Sequence, residues 1–253
     1  MSTSLTDISN KHDDLTERRE RVFLVLAGTF LCAMTMLNIL GITRFIQLGP
    51  MALAVGVLPY PLTFLCTDLI CELYGKRRAN FLVTVGLGLN FFILLMLFLG
   101  QAMPAVDTNT MPPWQVLSLG EDIALPNGNN ISGDIELFDL IYALSSGAIF
   151  ASMIAYMVAQ YCDVHLFHFL KRLTKGKHLW LRNNLSTLTS QGVDSLVVIG
   201  VTFGAVYWRG DISGTQFLML MGSNYLFKMT IALLDTGPFY LLVYWLKRYL
   251  KLA

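Results

Sequence analysis

Long uncharged stretches, separated by short charged segments, dominate the chain. Four of them contain no Asp, Glu, Lys or Arg, namely 22–43, 45–67, 80–106 and 140–162. Two more carry isolated charges, with Asp194 inside 185–208 and with Lys228 and Asp235 inside 212–246. Each stretch is long enough for a helix to cross a hydrocarbon core of about 30 Å. The pattern predicts a polytopic α-helical membrane protein.

We expect an all-α integral membrane protein whose six transmembrane helices form one domain, 22–250. The predicted spans are 22–43, 49–73, 80–103, 140–162, 185–208 and 214–246. The first apolar stretch begins after a charged segment and is longer than the apolar core of a signal peptide, so we expect it to stay in the mature protein.

Three segments are predicted to lie outside the membrane core. The polar tail 1–21 is expected to be disordered or to lead in along the membrane interface, and the external loop 104–139 is rich in Pro, Gly and Asn. The segment 163–184 mixes Leu and Phe with basic residues, which predicts an amphipathic helix on the cytoplasmic surface.

The last apolar stretch leaves open whether it forms one helix or two, since Gly222 and the pair Gly237 and Pro238 are candidate break points. The distribution of Lys and Arg decides the topology. These residues gather in the N-terminal tail, after the second span, between the fourth and fifth spans, and at the C-terminus, whereas the loop 104–139 has six acidic residues and no basic one. Because cytoplasmic segments collect positive charge, we expect six spans with both termini in the cytoplasm.

Composition mainly excludes functions. Hydrophobic residues make up 55% of the chain and charged residues 14%, and 18 Lys and Arg nearly balance 17 Asp and Glu. Without a basic stripe, nucleic-acid binding is excluded as a primary role. The four cysteines lie in or beside apolar stretches, which indicates neither a disulfide scaffold nor a zinc site. No Walker, GxSxG or HExxH motif occurs, so we expect no enzyme, no cofactor and no metal site.

Ionisable residues at membrane depth are costly and are therefore candidates for function. Asp68 and Glu72 follow Pro59 and Pro61, which are expected to interrupt the second span and expose backbone groups to a cavity. The spacing of the two acids places both carboxylates on one helix face. The alternative is a ladder of ion pairs with Lys76 that only anchors the helix end.

The fifth and sixth spans contain the other candidates for substrate binding: Gln191, Asp194, Asn224, Lys228 and Asp235. Gln191 and Asp194 share a helix face, and the other three lie on one stripe of the last span. The alternative is that Asp194 and Lys228 form an ion pair that only holds the bundle together.

Three charged motifs carry a resemblance to a known family. The segments 67–79 (TDLICELYGKRRA), 180–195 (WLRNNLSTLTSQGVDS) and 228–240 (KMTIALLDTGPFY) resemble the queuosine precursor transporter family, also called the YhhQ or vitamin uptake transporter family. The resemblance implies a multi-pass protein of the bacterial inner membrane. It also implies uptake of 7-cyano-7-deazaguanine or 7-aminomethyl-7-deazaguanine for tRNA queuosine modification.

A 7-deazaguanine presents an N–H and an NH₂ group side by side, which match the two oxygens of one carboxylate. Asp194 with Gln191, or Glu72, would accept these bonds, and Asn224 or Lys228 would donate to the carbonyl. Tyr74, Phe227 or Tyr60 would stack on the ring. Membrane lipid is an expected partner, and a homodimer is a candidate assembly. Two alternatives stay open: a substrate-binding membrane subunit that needs an energising ATPase, and a scaffold that transports nothing.

Overall fold

The computed structural model describes residues 5–41, 43–48, 51–107, 110–124, 130–210 and 212–252. Within them, six long helices follow one another: α1 Leu5–Gly41, α2 Tyr60–Tyr74, α3 Lys76–Ala102, α4 Leu137–Leu173, α5 Leu179–Trp208 and α6 Gly214–Tyr249. Two antiparallel hairpins lie between helices, β1 Phe45–Leu48 with β2 Met51–Ala54, and β3 Val116–Ala124 with β4 Asn130–Glu136.

Five helical segments are long and apolar enough to cross a membrane: 14–41, 55–74, 76–102, 137–173 and 214–249. The prediction of an α-helical membrane protein is confirmed at this level. α5 is not among these five segments. Its buried polar side chains are Arg182, Asn183, Asn184, Ser186, Thr187, Ser190, Gln191, Asp194 and Ser195. α5 packs against α4 and α6, so these side chains face protein.

The second predicted span, 49–73, is wrong in its first part. Residues 51–54 pair as a strand with β1, in a register that sets Phe45 opposite Ala54. A 3₁₀ turn at Val55–Val57 follows, and α2 begins at Tyr60 with Pro61 in its first turn. Proline is tolerated there because that N–H has no partner within the helix. The prolines therefore mark the start of a helix and not a break inside one.

The 3₁₀ turn packs tightly against the end of α1. A Cβ on Gly56 would lie 2.7 Å from the backbone oxygen of Leu37 and 2.8 Å from the Cα of Gly41. No side chain fits at such distances. Glycine therefore lets the chain approach α1 closely, and this approach fixes where α2 begins.

The N-terminal tail and the predicted interfacial segment 163–184 are both more helical than expected. The polar tail is helical from Leu5, and pairs such as Asp14 with Arg18 bridge successive turns of α1. α4 continues to Leu173, so the first half of the predicted interfacial segment forms the last turns of α4. Val164 and Phe167 are fully buried in the core. The apolar face predicted to lie on the lipid surface therefore packs against protein.

The predicted external loop 104–139 contains the longer hairpin. Val116 pairs with Glu136 and Ala124 with Asn130, with an irregularity in the register between Leu119 and Ile123. Residues 108–109 and 125–129 of this loop lie outside the described residues. Near the base of the loop, the Gln101 amide donates to Asp139 at 2.8 Å and joins α3 to α4.

The last helix is continuous, which answers the question that the sequence left open. α6 starts with a capping box, in which the Ser213 hydroxyl accepts from the backbone N–H of Gln216 and the Gln216 side chain accepts from the backbone N–H of Ser213. Pro238 lies inside the helix without ending it. The core that α6 joins is apolar and draws on five helices, through Phe30, Ile70, Val83, Phe167 and Phe239.

Candidate functional site

One face of α2 carries the residues that organise the site. Tyr60, Phe64, Asp68 and Glu72 are spaced four apart, so they form one stripe along the helix. The stripe rises about 18 Å at 1.5 Å per residue. Side chains of α4, α5 and α6 meet it at three levels, which we call the upper, middle and basic levels.

At the upper level, Lys228 of α6 and Asp194 of α5 form a buried ion pair, with side-chain exposures of 6% and 7%. The Lys228 ammonium also lies 4.5 Å from the centre of the Tyr60 ring. A cation over an aromatic face is attracted by the ring quadrupole. The ion pair of Asp194 and Lys228 that the sequence predicts is therefore present. Tyr60, which the sequence indicates only as a stacking candidate, lies beside it.

Two further polar atoms of α5 are buried beside this pair without a hydrogen-bond partner among the described residues. They are the side-chain oxygens of Gln191 and Ser195, and both residues are almost fully buried. A buried polar atom without a partner costs free energy, and such atoms cluster where a ligand supplies the missing bond. Gln191 thus lies where the sequence predicted, one turn from Asp194. Asn224 is half-buried one turn before Lys228.

At the middle level, two carboxyl groups meet. Thr187 of α5 donates to Asp68 at 3.2 Å, and Ser190 of α5 donates to Asp163 of α4 at 3.1 Å. The Asp68 and Asp163 carboxyls also lie within hydrogen-bonding reach of each other. Sequence analysis missed Asp163, because it directly follows an uncharged stretch and was assigned to the interfacial segment.

A small cavity opens beside Asp68. Its polar lining comes from Asp68, Asn183, Thr187 and Asp235, and Phe64 and Phe239 contribute apolar walls. The volume is about 10 Å³. That is room for about one water molecule. Asp235 is half-buried and reaches this middle level, about seven residues along α6 from Lys228. A purine-sized base would enter only after the helices separate.

At the basic level, Glu72 binds three cations. Its carboxylate accepts from Lys171 of α4 at 2.9 Å, from Arg182 of α5 at 2.7 Å and from Lys247 of α6 at 2.7 Å. The predicted ladder with Lys76 does not form among these contacts. Glu72 instead ties α2 to three other helices, and both of its oxygens are occupied.

The same end of the bundle gathers the other basic segments. Arg78 of α3 binds Glu20 of α1 at 2.8 Å, and the Tyr74 hydroxyl donates to the Arg19 backbone oxygen at 2.8 Å. Tyr74 is therefore held at this end by α1 and does not reach the upper level. We call this end of the bundle the basic end. All four segments whose charges predicted a cytoplasmic position meet here.

Among the described residues, no group of three or more His, Cys, Asp or Glu side chains could hold a metal ion. The site consists of carboxyls, an ammonium, amides, hydroxyls and aromatic rings. This set can donate and accept hydrogen bonds and can stack on a ring.

Comparison with known proteins bears on what molecule this site binds. A family model described as "Putative vitamin uptake transporter" matches residues 54–243. The "Probable queuosine precursor transporter" of Bacillus subtilis is 24% identical over 197 residues, which cover 78% of this chain and 74% of the relative. The "Queuosine precursor transporter" of Escherichia coli is 27% identical over 190 residues, which cover 73% of this chain and 70% of the relative. No solved structure matches significantly.

Proposed function

We propose that the chain takes up a queuosine precursor across the bacterial inner membrane, because it belongs to the vitamin uptake transporter family. This membership confirms the resemblance carried by the three motifs. The observation that carries this proposal is the likeness to two proteins named for queuosine precursor transport, over 70% or more of their lengths. The substrate class is then a 7-deazaguanine base bearing a cyano or aminomethyl group. The chain is a multi-pass membrane protein, and its family is one of transporters.

The topology that fits this function has six spans with both termini in the cytoplasm. Its support is the convergence of basic segments from the N-terminus, the α2–α3 junction, the α4–α5 junction and the C-terminus at one end of the bundle. α5 would be the fifth span in chain order and completes the six. Its polar side chains are buried against its neighbours, so they do not oppose a position within the membrane.

The upper level is the proposed binding site for the base. Asp194 and the Gln191 side-chain oxygen would accept the two adjacent N–H groups of the guanine-like edge, and Lys228 would donate to the carbonyl. Tyr60 would stack on the ring, since its face already meets a cation there. Asn224 would donate from the same face of α6. Adenine has an acceptor where guanine has an N–H, so it would leave a buried carboxylate unpaired.

The middle and basic levels have different proposed roles. Asp68 and Asp235 line the small cavity and would contact the base as it moves toward the basic end. Glu72 would not contact it, because three cations already occupy its carboxylate. Glu72 instead closes the path on the side where the basic segments meet. Release of the base there requires that these ion pairs separate.

Uptake by the purified chain alone tests this proposal. The protein is reconstituted into liposomes that contain no other protein and no ATP, and entry of labelled 7-cyano-7-deazaguanine is measured against protein-free liposomes. We expect saturable entry. Entry that appears only when a membrane fraction and ATP are added would indicate a subunit of an ATPase-driven complex, and no entry under either condition would indicate a scaffold. We also propose that the chain assembles as a homodimer. The mass of the purified protein in detergent, measured before reconstitution, tests this.

A further inference from the structure

Within the described part of the chain, no cation forms an ion pair with the carboxyl pair at the middle level. Asp68 is 3% exposed and Asp163 is 0% exposed, so both groups are removed from water. The cations nearest to them are engaged elsewhere. Lys171 and Arg182 bind Glu72 at the basic level, and Lys228 binds Asp194 at the upper level.

Two buried carboxylates cannot lie within hydrogen-bonding reach of each other unless a proton lies between them. Two negative charges at that distance in a medium of low dielectric repel strongly, whereas one proton makes one carboxyl a donor and the other an acceptor. The hydroxyls of Thr187 and Ser190 each bind only one oxygen of the pair. The second oxygens, Oδ1 of Asp68 and Oδ2 of Asp163, have no other donor among the described residues.

An independent observation marks the same place as a binding site. Asn183 lines the cavity beside Asp68, and its side-chain oxygen has no hydrogen-bond partner among the described residues, although Asn183 is only 4% exposed. The cavity admits about one water molecule. A water there would connect Asn183 to the carboxyl pair and give a proton a route to it.

We propose that the Asp68 and Asp163 pair binds one proton that crosses the membrane together with the base, so that uptake is proton-coupled. The inference rests on the proposed transport function and adds the ion that drives it. The proton binds reversibly, and no covalent bond forms or breaks.

The coupling follows from where the pair lies. Asp68 is on α2, and its Thr187 partner is on α5, the two helices between which the base must pass. When these helices separate, water reaches the carboxyls and each can ionise. When they close, the buried pair must hold a proton. Closure of the path and proton binding are therefore linked, and each favours the other.

The charged and titratable groups around the pair allow this role. From α6, Asp235 lines the same cavity as Asp68. The groups that face the pair from α2 itself are Tyr60, Cys71 and Glu72, and those from α4 are Cys162 and Lys171. Lys171 shares the single Glu72 carboxylate with Arg182 and Lys247, so the basic level keeps a positive charge. α5 contributes hydroxyls and the paired Asp194.

Two measurements on the same proteoliposomes separate this inference from the transport function. The first is counterflow, the exchange of labelled for unlabelled 7-cyano-7-deazaguanine without a pH gradient. The second is net uptake driven by a gradient of one pH unit, acidic outside, with the membrane potential held at zero by potassium and valinomycin. For one proton carried with a neutral base, we expect accumulation of about tenfold, because one pH unit is a tenfold ratio of proton activity.

Substitutions then assign the effect to the pair. In Asp68→Asn and Asp163→Asn we expect the ratio of gradient-driven uptake to uptake without a gradient to fall to about one, whatever the absolute rate. Asp139→Asn is the matched control, since this carboxylate lies at the opposite end of the bundle with Gln101 and should keep the full ratio. A pH-sensitive dye inside the liposomes gives a second readout, which needs no variant. Addition of 7-cyano-7-deazaguanine outside should acidify the lumen.

Each outcome decides one question. Counterflow without accumulation and without acidification would overturn proton coupling and leave the transport function intact. Failure of counterflow in the unmodified protein would contradict the transport function itself. Coupling that persists in both Asn variants would place the proton elsewhere.

Discussion

The Arg182 guanidinium donates a hydrogen bond to the Glu72 carboxylate at 2.7 Å, and both side chains are buried, with exposures of 2% and 5%. Arg182 is in α5 and Glu72 is in α2. Further up, these helices meet through Thr187 and Asp68. Both of these contacts between α2 and α5 are polar, which is unusual within a membrane and is what a path for a polar solute requires.

Replacement of Glu72 should destabilise the protein. Glu72→Gln removes the negative charge from three cations and leaves Arg182 buried without its partner. Loss of one partner of a buried ion pair costs about 3 kcal/mol or more. We expect a clearly lower midpoint of thermal unfolding in detergent. Glu20→Gln is the control, because the Glu20 pair with Arg78 is exposed and should contribute less than about 1 kcal/mol. Equal midpoints for the two variants would contradict the role given to Glu72.

The close approach of the 3₁₀ turn to α1 leads to a second prediction. In Gly56→Ala, the new methyl group would meet backbone atoms of Leu37 and Gly41, which cannot rotate away. Overpacking of this kind costs about 1–3 kcal/mol. Gly88→Ala is the matched control, since open space surrounds that glycine. The stability of both variants is measured as above. A Gly56→Ala protein as stable as the Gly88→Ala protein would mean that the turn does not pack on α1 in this way.

Labelling from outside the cell tests the topology. Single cysteines at Lys76 and Lys175 should be protected from a membrane-impermeant maleimide in intact cells and become labelled after lysis, because both positions belong to basic segments. A cysteine at Asp122, in β3, should be labelled in intact cells. The native cysteines are first replaced by Ala or Ser. Labelling at 175 with protection at 122 would invert the proposed orientation.

The ion pair at the upper level permits two roles for Asp194 that a double mutant distinguishes. If Asp194 accepts the guanine-like edge, Asp194→Asn replaces an acceptor with a donor and should weaken binding by about 2 kcal/mol, roughly thirtyfold. If Asp194 only neutralises Lys228, the same change should mainly destabilise the fold, because it leaves a buried ammonium unpaired.

The second change, Lys228→Met, removes that ammonium in the Asp194→Asn background. We expect the double mutant to recover stability but not substrate binding. Stability and binding are measured on one preparation. Stability is the midpoint of thermal unfolding, and binding is the shift of that midpoint when 7-cyano-7-deazaguanine is added. Recovery of binding as well would assign both Asp194 and Lys228 to packing alone, since Lys228 is also a proposed donor to the base.

The sequence predicted those parts of the fold that depend on apolar length and on the distribution of charge. The long helices follow from uncharged stretches, and the pair of Asp194 and Lys228 follows from two opposite charges isolated in neighbouring spans. Asp163 was missed because a residue at the end of an apolar stretch looks like the start of a loop. Its burial depends on how far α4 continues and on what packs against it.

Two other differences have the same origin in tertiary contacts. Lys76 follows Glu72 at the ion-pair spacing, yet Gly75, with φ of 85°, interrupts the helix between them. Glu72 therefore pairs with cations from distant segments. The β1–β2 hairpin replaced the expected helix because Gly56 and the prolines favour a close turn against α1, and that contact is not visible in local hydropathy.

The discrimination between guanine-like and adenine-like bases tests the central claim, that the polar surface between α2 and α5 selects a 7-deazaguanine through Asp194. Counterflow of labelled 7-cyano-7-deazaguanine is measured in proteoliposomes with increasing guanine or adenine as competitor. We expect 7-cyano-7-deazaguanine and guanine to compete and adenine to compete at least about thirtyfold more weakly, as a difference of 2 kcal/mol requires. Asp194→Asn should lose most of this preference. Equal competition by guanine and adenine in the unmodified protein would contradict the claim.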